Sequence, residues 1–128
     1  MKTIDIEQFV NDYLTTASWV ECDSDECTDF TKQAKQDAKE DCLKFIDLVI
    51  SAFGKEKGTE LLTIEGNDLC YLAPHDFYLT RNGHGSGFWD KPEYYGIEAS
   101  EVLSDICKDM KETNVCHVRG KKSKLTFY

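Results

Sequence analysis

The residues best suited to chemistry stand close together at positions 75–90, where the chain reads His-Asp-Phe-Tyr-Leu-Thr-Arg-Asn-Gly-His-Gly-Ser-Gly-Phe-Trp-Asp. This block, the 75–90 block below, holds two of the three histidines and three of the eight glycines. Imidazoles, a guanidinium, an amide and carboxylates around a glycine-rich turn are the polar groups that binding or catalysis requires. The block is therefore the candidate functional site.

Catalysis is one use of these groups. If the block forms a β-hairpin, His75, His84 and Asp90 converge, because residues before and after a turn become neighbours across the two strands. One histidine then acts as a general acid or base, a carboxylate fixes its tautomer, and Arg81 stabilises an anion. This arrangement predicts a small hydrolase or a metal-assisted enzyme. The sequence has no G-x-S-x-G motif, no Walker loop and no G-x-G-x-x-G before a helix, so we favour a protein that is not an enzyme.

Recognition is the other use. A turn needs only one or two polar residues, whereas this block places several around its glycines. A loop that contacts a partner protein accounts for the excess without requiring chemistry. The residues predicted to make this contact are Arg81, Asn82, His84, Ser86 and Trp89.

The cysteines do not predict a metal site. Cys22 and Cys27 have four residues between them, but no second close pair of Cys or His follows at zinc-finger spacing. The acidic residues beside them lack the glycine and the final glutamate of a calcium loop. Cys42 and Cys107 fall within apolar helical stripes, which predicts buried, free thiols. We expect no metal and no cofactor.

Composition limits the possible partners. The 128 residues are enough for one domain with its own core, and the formal net charge is -9. An acidic domain is repelled by phosphate backbones, so nucleic acid is disfavoured and a protein with a basic surface is expected. No segment approaches the roughly 20 apolar residues that cross a bilayer, and the N-terminus has no apolar stretch of signal-peptide length. A cytoplasmic protein without a membrane segment is expected.

Apolar spacing predicts the elements that position the block. Three amphipathic helices are expected, at 4–17, from about 32 to 53, and at 99–110, with Gly54 as the cap of the second. An acidic loop at about 20–31 separates the first two helices, and a short helix or turn lies within 55–74. Pro74 is expected to stop any helix from entering the 75–90 block. Strand-favouring residues at 77–80 and 88–89 predict a first hairpin, and 115–118 with 124–128 predict a second. The fold prediction is a single α+β domain over 1–128, with three main helices packed on a small antiparallel sheet of two β-hairpins.

The 75–90 block also resembles the sequence signature H-D-F-W-L-T-R-N-G-H-G-x-G-F-W-D of a family of small proteins encoded by bacteriophages and related mobile elements, with Tyr78 where tryptophan is common. The resemblance extends loosely to a first helix, an acidic loop, a helix containing Glu40-Asp41-Cys42, and a closing hairpin. The basic turn at 119–124 and the extra cysteines depart from it. No activity or catalytic residue is assigned to the motif. The resemblance implies a phage accessory protein in the host cytoplasm that binds a host protein and inhibits an enzyme or a defence factor.

Overall fold

The computed structural model describes residues 3–21, 29–65, 71–83, 87–110, 115–118 and 121–127. The helices in these ranges are α1 (Ile6–Glu21), α2 (Lys32–Phe53), α3 (Lys55–Leu62), α4 (Leu72–Arg81), α5 (Pro92–Tyr95) and α6 (Ile97–Asp109), with a 3-10 helix at Phe88–Asp90. The strands are β1 (Asp29–Phe30), β2 (Val115–Val118) and β3 (Lys121–Phe127). They pair in the order β1-β3-β2, with β1 parallel and β2 antiparallel to β3.

Helices, and not a sheet, build the core, so the predicted α+β class is wrong. Among the described side chains, every buried apolar core residue except Phe30 lies on a helix. The first predicted hairpin does not exist, because its 77–80 strand is part of α4 and its 88–89 strand is part of the 3-10 helix. The small sheet is an addition to a helical assembly and is not a layer on which three helices pack.

A strand was predicted where α4 forms. The helix is buried on almost all sides, so its apolar pattern does not identify it as a helix. Its residues 76–81 are all buried, so the segment shows no single apolar stripe that would reveal a helical period. Pro74 lies in the first turn of α4, where a backbone N–H has no partner within the helix and its loss costs little. The proline is therefore compatible with the first turn of this helix and does not exclude it.

The three helices predicted from apolar stripes are confirmed as α1, α2 and α6. At the start of α2, the Thr31 hydroxyl accepts a hydrogen bond from the Ala34 N–H at 3.0 Å, which satisfies one of the unpaired amides of the first turn. At its end, Gly54 is the C-cap as predicted, and its N–H donates to the Ile50 carbonyl, but with φ 89° and ψ 160° it is not in the left-handed helical conformation expected of such a cap. None of the described helices is long and apolar enough to cross a membrane, and this includes the 22-residue α2.

An aromatic cluster joins the helices at the centre of the core. The rings of Phe45 on α2 and Phe77 on α4 stack with their centroids 4.2 Å apart and their planes 7° apart. Tyr13 on α1 lies 5.2 Å from Phe77, centroid to centroid. Each such contact adds to the free energy gained from burial, so Phe77 ties α4 to the two longest helices.

The chain returns to α4 through a close approach at Gly87. The Phe88 N–H donates a hydrogen bond to the Thr80 hydroxyl at 3.1 Å. Gly87 has φ 152° and ψ -158°, a conformation found almost only for glycine. A Cβ atom at this position would lie 2.2 Å from Thr80 Oγ1. Only glycine therefore allows the 3-10 helix to contact α4 here.

We expect Gly87→Ala to destabilise the protein by roughly 2–4 kcal/mol, because backbone strain and a steric clash add together. Gly83→Ala is the matched control: Gly83 has φ 70° but open space where its Cβ would be. Strain alone predicts a loss of about 1 kcal/mol there. Urea unfolding of both variants measures the difference, and equal losses would show that the clash at Thr80 is unimportant.

Candidate functional site

The acidic residue at the start of the 75–90 block is a buried structural group. Asp76 has no exposed surface, and its carboxylate accepts hydrogen bonds from the Lys91 ammonium group and the Tyr95 hydroxyl. The oxygen atoms of Asp76 and Tyr95 are 2.7 Å apart. Because Lys91 directly precedes α5 and Tyr95 ends it, one carboxylate fixes α5 against α4.

Burial also controls the protonation of this group. Burial raises the pKa of the Asp76 carboxyl, while one hydrogen bond each from Lys91 and Tyr95 and the charge of Lys91 oppose the increase. Burial also raises the pKa of the Tyr95 hydroxyl, and the neighbouring Asp76 raises it further. Tyr95 therefore remains a hydrogen-bond donor throughout the physiological pH range.

Arg81 is turned into the protein and does not lie at an exposed loop tip as the hairpin prediction placed it. Its Nη1 donates to Asp41 Oδ2 at 2.9 Å and to the Tyr13 hydroxyl at 3.1 Å. Its Nη2 donates to the Met110 carbonyl at 3.3 Å, and its Cζ lies 5.2 Å from the Phe77 ring centroid. These contacts link α4 to α1, to α2 and to the end of α6. The guanidinium group of this predicted binding residue is thus used within the fold.

His75 contacts the first helix. Its Nδ1 lies 3.1 Å from the Thr16 hydroxyl oxygen, and that hydroxyl donates its proton to the Asp12 carbonyl at 2.9 Å. Since a hydroxyl has one proton to donate, Nδ1–H of His75 is the donor to Thr16. Burial lowers the pKa of the half-buried imidazole; the charge of Asp76 opposes this lowering, and the charge of Lys91 adds a smaller one. The neutral tautomer with a proton on Nδ1 is favoured.

The other predicted residues fall into three groups. The exposed Asp90 accepts a hydrogen bond from the Gly87 N–H at 3.1 Å, and the Asn82 amide donates to the Tyr78 carbonyl at 3.0 Å. His84 and Ser86 lie outside the described residues. Trp89 is 55% exposed. The catalytic hypothesis needs His75, His84 and Asp90 to converge, but the hydrogen bonds described for His75 and Asp90 go to different partners.

The exposed Trp89 is one of three exposed large apolar side chains that stand close together in the sequence. Tyr94 is 52% exposed and Ile97 is 73% exposed, and all three side chains fall within nine consecutive residues. We call Trp89, Tyr94 and Ile97 the aromatic patch. Sequence reasoning selected only Trp89. Ile97 lies off the apolar stripe of α6 and directly before Glu98, and this was the available signal that its side chain faces solvent.

The described residues offer no metal site: no group of three or more His, Cys, Asp and Glu side chains among them could hold an ion. Cys42 and Cys107 are free and buried, which confirms the prediction for these two thiols. Burial raises the pKa of both. Cys22, Cys27 and Cys70 lie outside the described ranges.

Comparison of the chain with protein-family models, curated proteins and solved structures found no match. The contacts of the site itself are therefore the basis for a functional proposal.

We expect Asp76→Asn to destabilise the fold by roughly 3–5 kcal/mol, because it leaves the Lys91 ammonium group against α4 without its counter-charge. The control is Asp105→Asn on the exposed side of α6, for which a change within about 0.5 kcal/mol is expected. Urea unfolding of the two variants tests this. A loss no larger than that of the control would mean that the buried carboxylate is not a principal contact of α4 with α5.

The lowered pKa of His75 predicts a pH dependence. In the folded protein the pKa of this imidazole lies below its ordinary value of 6.5. The neutral ring therefore contributes stability that is fully present above about pH 6.5 and is lost as the pH falls through the folded pKa. We therefore expect the difference in unfolding free energy between the native protein and His75→Gln to shrink on acidification from about pH 7.5 to 5. A difference that grows on acidification would mean that the folded protein favours the charged ring.

Proposed function

We propose that this protein is a non-enzymatic interaction protein that binds a partner protein through the aromatic patch. The observation that supports this is the exposure of Trp89, Tyr94 and Ile97, at 55%, 52% and 73%, within one short stretch of chain. Exposed apolar clusters rimmed by polar groups are typical of interaction sites. Tryptophan and tyrosine contribute the largest share of binding energy in many interfaces.

The charges around the patch favour a basic partner. Asp90, Glu93 and Glu98 are all exposed, and each directly adjoins a patch residue in sequence. These three carboxylates, called the acidic rim below, belong to the same short stretch of a chain with a net charge of -9. A partner with lysine or arginine side chains around an apolar depression is complementary to this surface in charge and in polarity.

The patch rests on a rigid support, which also favours binding. Phe88, next to Trp89, is fully buried and meets the Tyr95 ring edge to face with centroids 5.0 Å apart. Tyr95, next to Tyr94, donates its hydroxyl proton to Asp76. Two of the three patch residues thus follow or precede a fixed aromatic residue. A preorganised surface loses less conformational entropy when it binds.

The resemblance of the 75–90 block to small bacteriophage proteins supports a setting for this interaction. In this proposal the chain is a phage accessory protein, it acts in the cytoplasm of the bacterial host, and its partner is a host enzyme or defence factor that it inhibits. The apolar patch and its acidic rim provide the contact, and no chemical step is needed. Inhibition follows if the bound patch covers a functional surface of the host protein.

The test is affinity capture from host lysate with the tagged native chain and with the triple variant Trp89→Ala, Tyr94→Ala and Ile97→Ala. We expect the native chain to retain a defined protein with a basic surface and the variant to lose at least about tenfold in affinity, since hot-spot truncations cost 2 kcal/mol or more each. The control is Leu43→Ala with Leu48→Ala, two side chains that are each 38% exposed on α2. Equal capture by both variants, or no retained protein with the native chain, would contradict the proposal.

A further inference from the structure

A single residue joins two helices that meet at a bend. Gly54 ends α2 and directly precedes α3, with φ 89° and ψ 160°. Its N–H donates to the Ile50 carbonyl at 2.7 Å, and its own carbonyl accepts from the Gly58 N–H at 2.8 Å. The same glycine therefore completes one helix and begins the next, and its two backbone angles set the direction of α3.

A change of these two angles to helical values would merge α2 and α3 into one helix from residue 32 to residue 62. The hydrogen bonds of Gly54 are already those of a continuous helix, since each joins residues four apart. The N–H groups of residues 55–57, in the first turn of α3, have no acceptor within that helix. In the merged helix they bond to the carbonyls of residues 51–53. The straight form therefore gains backbone hydrogen bonds.

Apolar packing holds α3 in the bent position. A Cβ atom on Gly58 would lie 3.2 Å from the Ile50 Cα, so the two helices approach closely there. Leu61 and Leu62 of α3 are buried in the core. In a straight helix these side chains leave the core of their own chain, and exposure of their apolar surface to water is unfavourable. A second copy can cover them, because the same movement uncovers the matching surface of its own α2.

We propose that two copies of this chain exchange halves through Gly54 and form a domain-swapped dimer. In each copy α2 and α3 form one straight helix, and the segment from α3 to β3 packs against α1 and α2 of the other copy. The contacts between the two halves of the core are then made between two chains and are otherwise unchanged. Only the bend at Gly54 differs, and very short connections between packed elements favour such an exchange.

Charge opposes this association and makes it dependent on salt. Each copy carries a formal net charge of -9, so two copies repel each other at low ionic strength. We expect the dimer fraction to rise as NaCl is increased from about 0.02 to 0.5 M. The dimer carries two aromatic patches, which gives avidity for a partner that presents its surface twice. This last consequence rests on the function proposed above, whereas the exchange itself does not.

Analytical ultracentrifugation of the native chain, Gly54→Ala and Gly83→Ala tests the proposal. Alanine disfavours the positive φ of the bend and favours a helix, and the dimer contains two such joints. We therefore expect Gly54→Ala to raise the dimer association constant at least about thirtyfold, and the native chain to form measurable dimer at about millimolar concentration. Gly83 has φ 70° and open space at its Cβ position, but no described helix begins directly after it. Gly83→Ala imposes similar strain and should leave the association constant unchanged.

A disulfide trap shows whether the halves are exchanged. In the double variant Ile50→Cys and Gly58→Cys, the close approach of the two positions brings the thiols within reach of a disulfide. This bond lies within one chain in the closed monomer and links two chains in the exchanged dimer. After oxidation, non-reducing electrophoresis should show covalent dimer in the fraction that ultracentrifugation finds for the reduced double variant. Each single cysteine variant is the control, since the six native cysteines give their own background.

Three results would overturn the proposal. The first is that the native chain and Gly54→Ala both stay monomeric at about millimolar concentration and high salt. The second is equal dimerisation of Gly54→Ala and Gly83→Ala, which attributes association to a general loss of stability. The third is a dimer whose disulfide stays within one chain, because folded copies then associate through another surface. If Gly54→Ala does not fold, the trap with the native Gly54 decides the same question.

Discussion

The buried carboxylate of Asp76 is the constraint on which the arrangement of the 75–90 block depends. An uncompensated carboxylate away from water costs several kcal/mol, so the fold must bring donors to it. The ammonium group of Lys91 and the hydroxyl of Tyr95 meet this need, and both come from the chain that follows the block. The return of that chain places Phe88 against Phe45 and Tyr95. The exposed side chains of the aromatic patch are held by this same return.

Arg81 provides a second buried charge on the same helix. It lies five residues after Asp76 and reaches α1, α2 and the end of α6, whereas Asp76 holds α5. Two charges of opposite sign therefore attach one short helix to most of the helical assembly. The ionic groups of the block stabilise the fold, and Trp89 is its most exposed large apolar side chain among the described residues. In the proposed interaction, the polar groups of the block therefore act within the fold and an apolar residue makes the contact.

Part of this structure follows from the sequence. Local spacing predicts the apolar stripes of α1, α2 and α6, the position of the cap at Gly54, and the burial of Cys42 and Cys107. Local spacing does not predict that α4 is a helix, because a segment buried on all sides shows no apolar period and its composition favours a strand. The ion pairs could not be predicted either, because their partners are far apart in sequence: Arg81 contacts Asp41 across 40 residues and Lys91 contacts Asp76 across 15. Trp89 was selected from sequence, while Tyr94 and Ile97 required the structure.

The two buried thiols allow local opening of the fold to be measured by thiol labelling. Only a thiolate reacts readily with alkylating and disulfide reagents, and burial disfavours that form at both Cys42 and Cys107. Either thiol becomes reactive only when its helix separates from the core. Cys42 lies on α2 and Cys107 on α6, so their separate labelling rates report the opening of two different helices. A comparison of the two labelling rates therefore shows whether α2 or α6 separates from the core more readily.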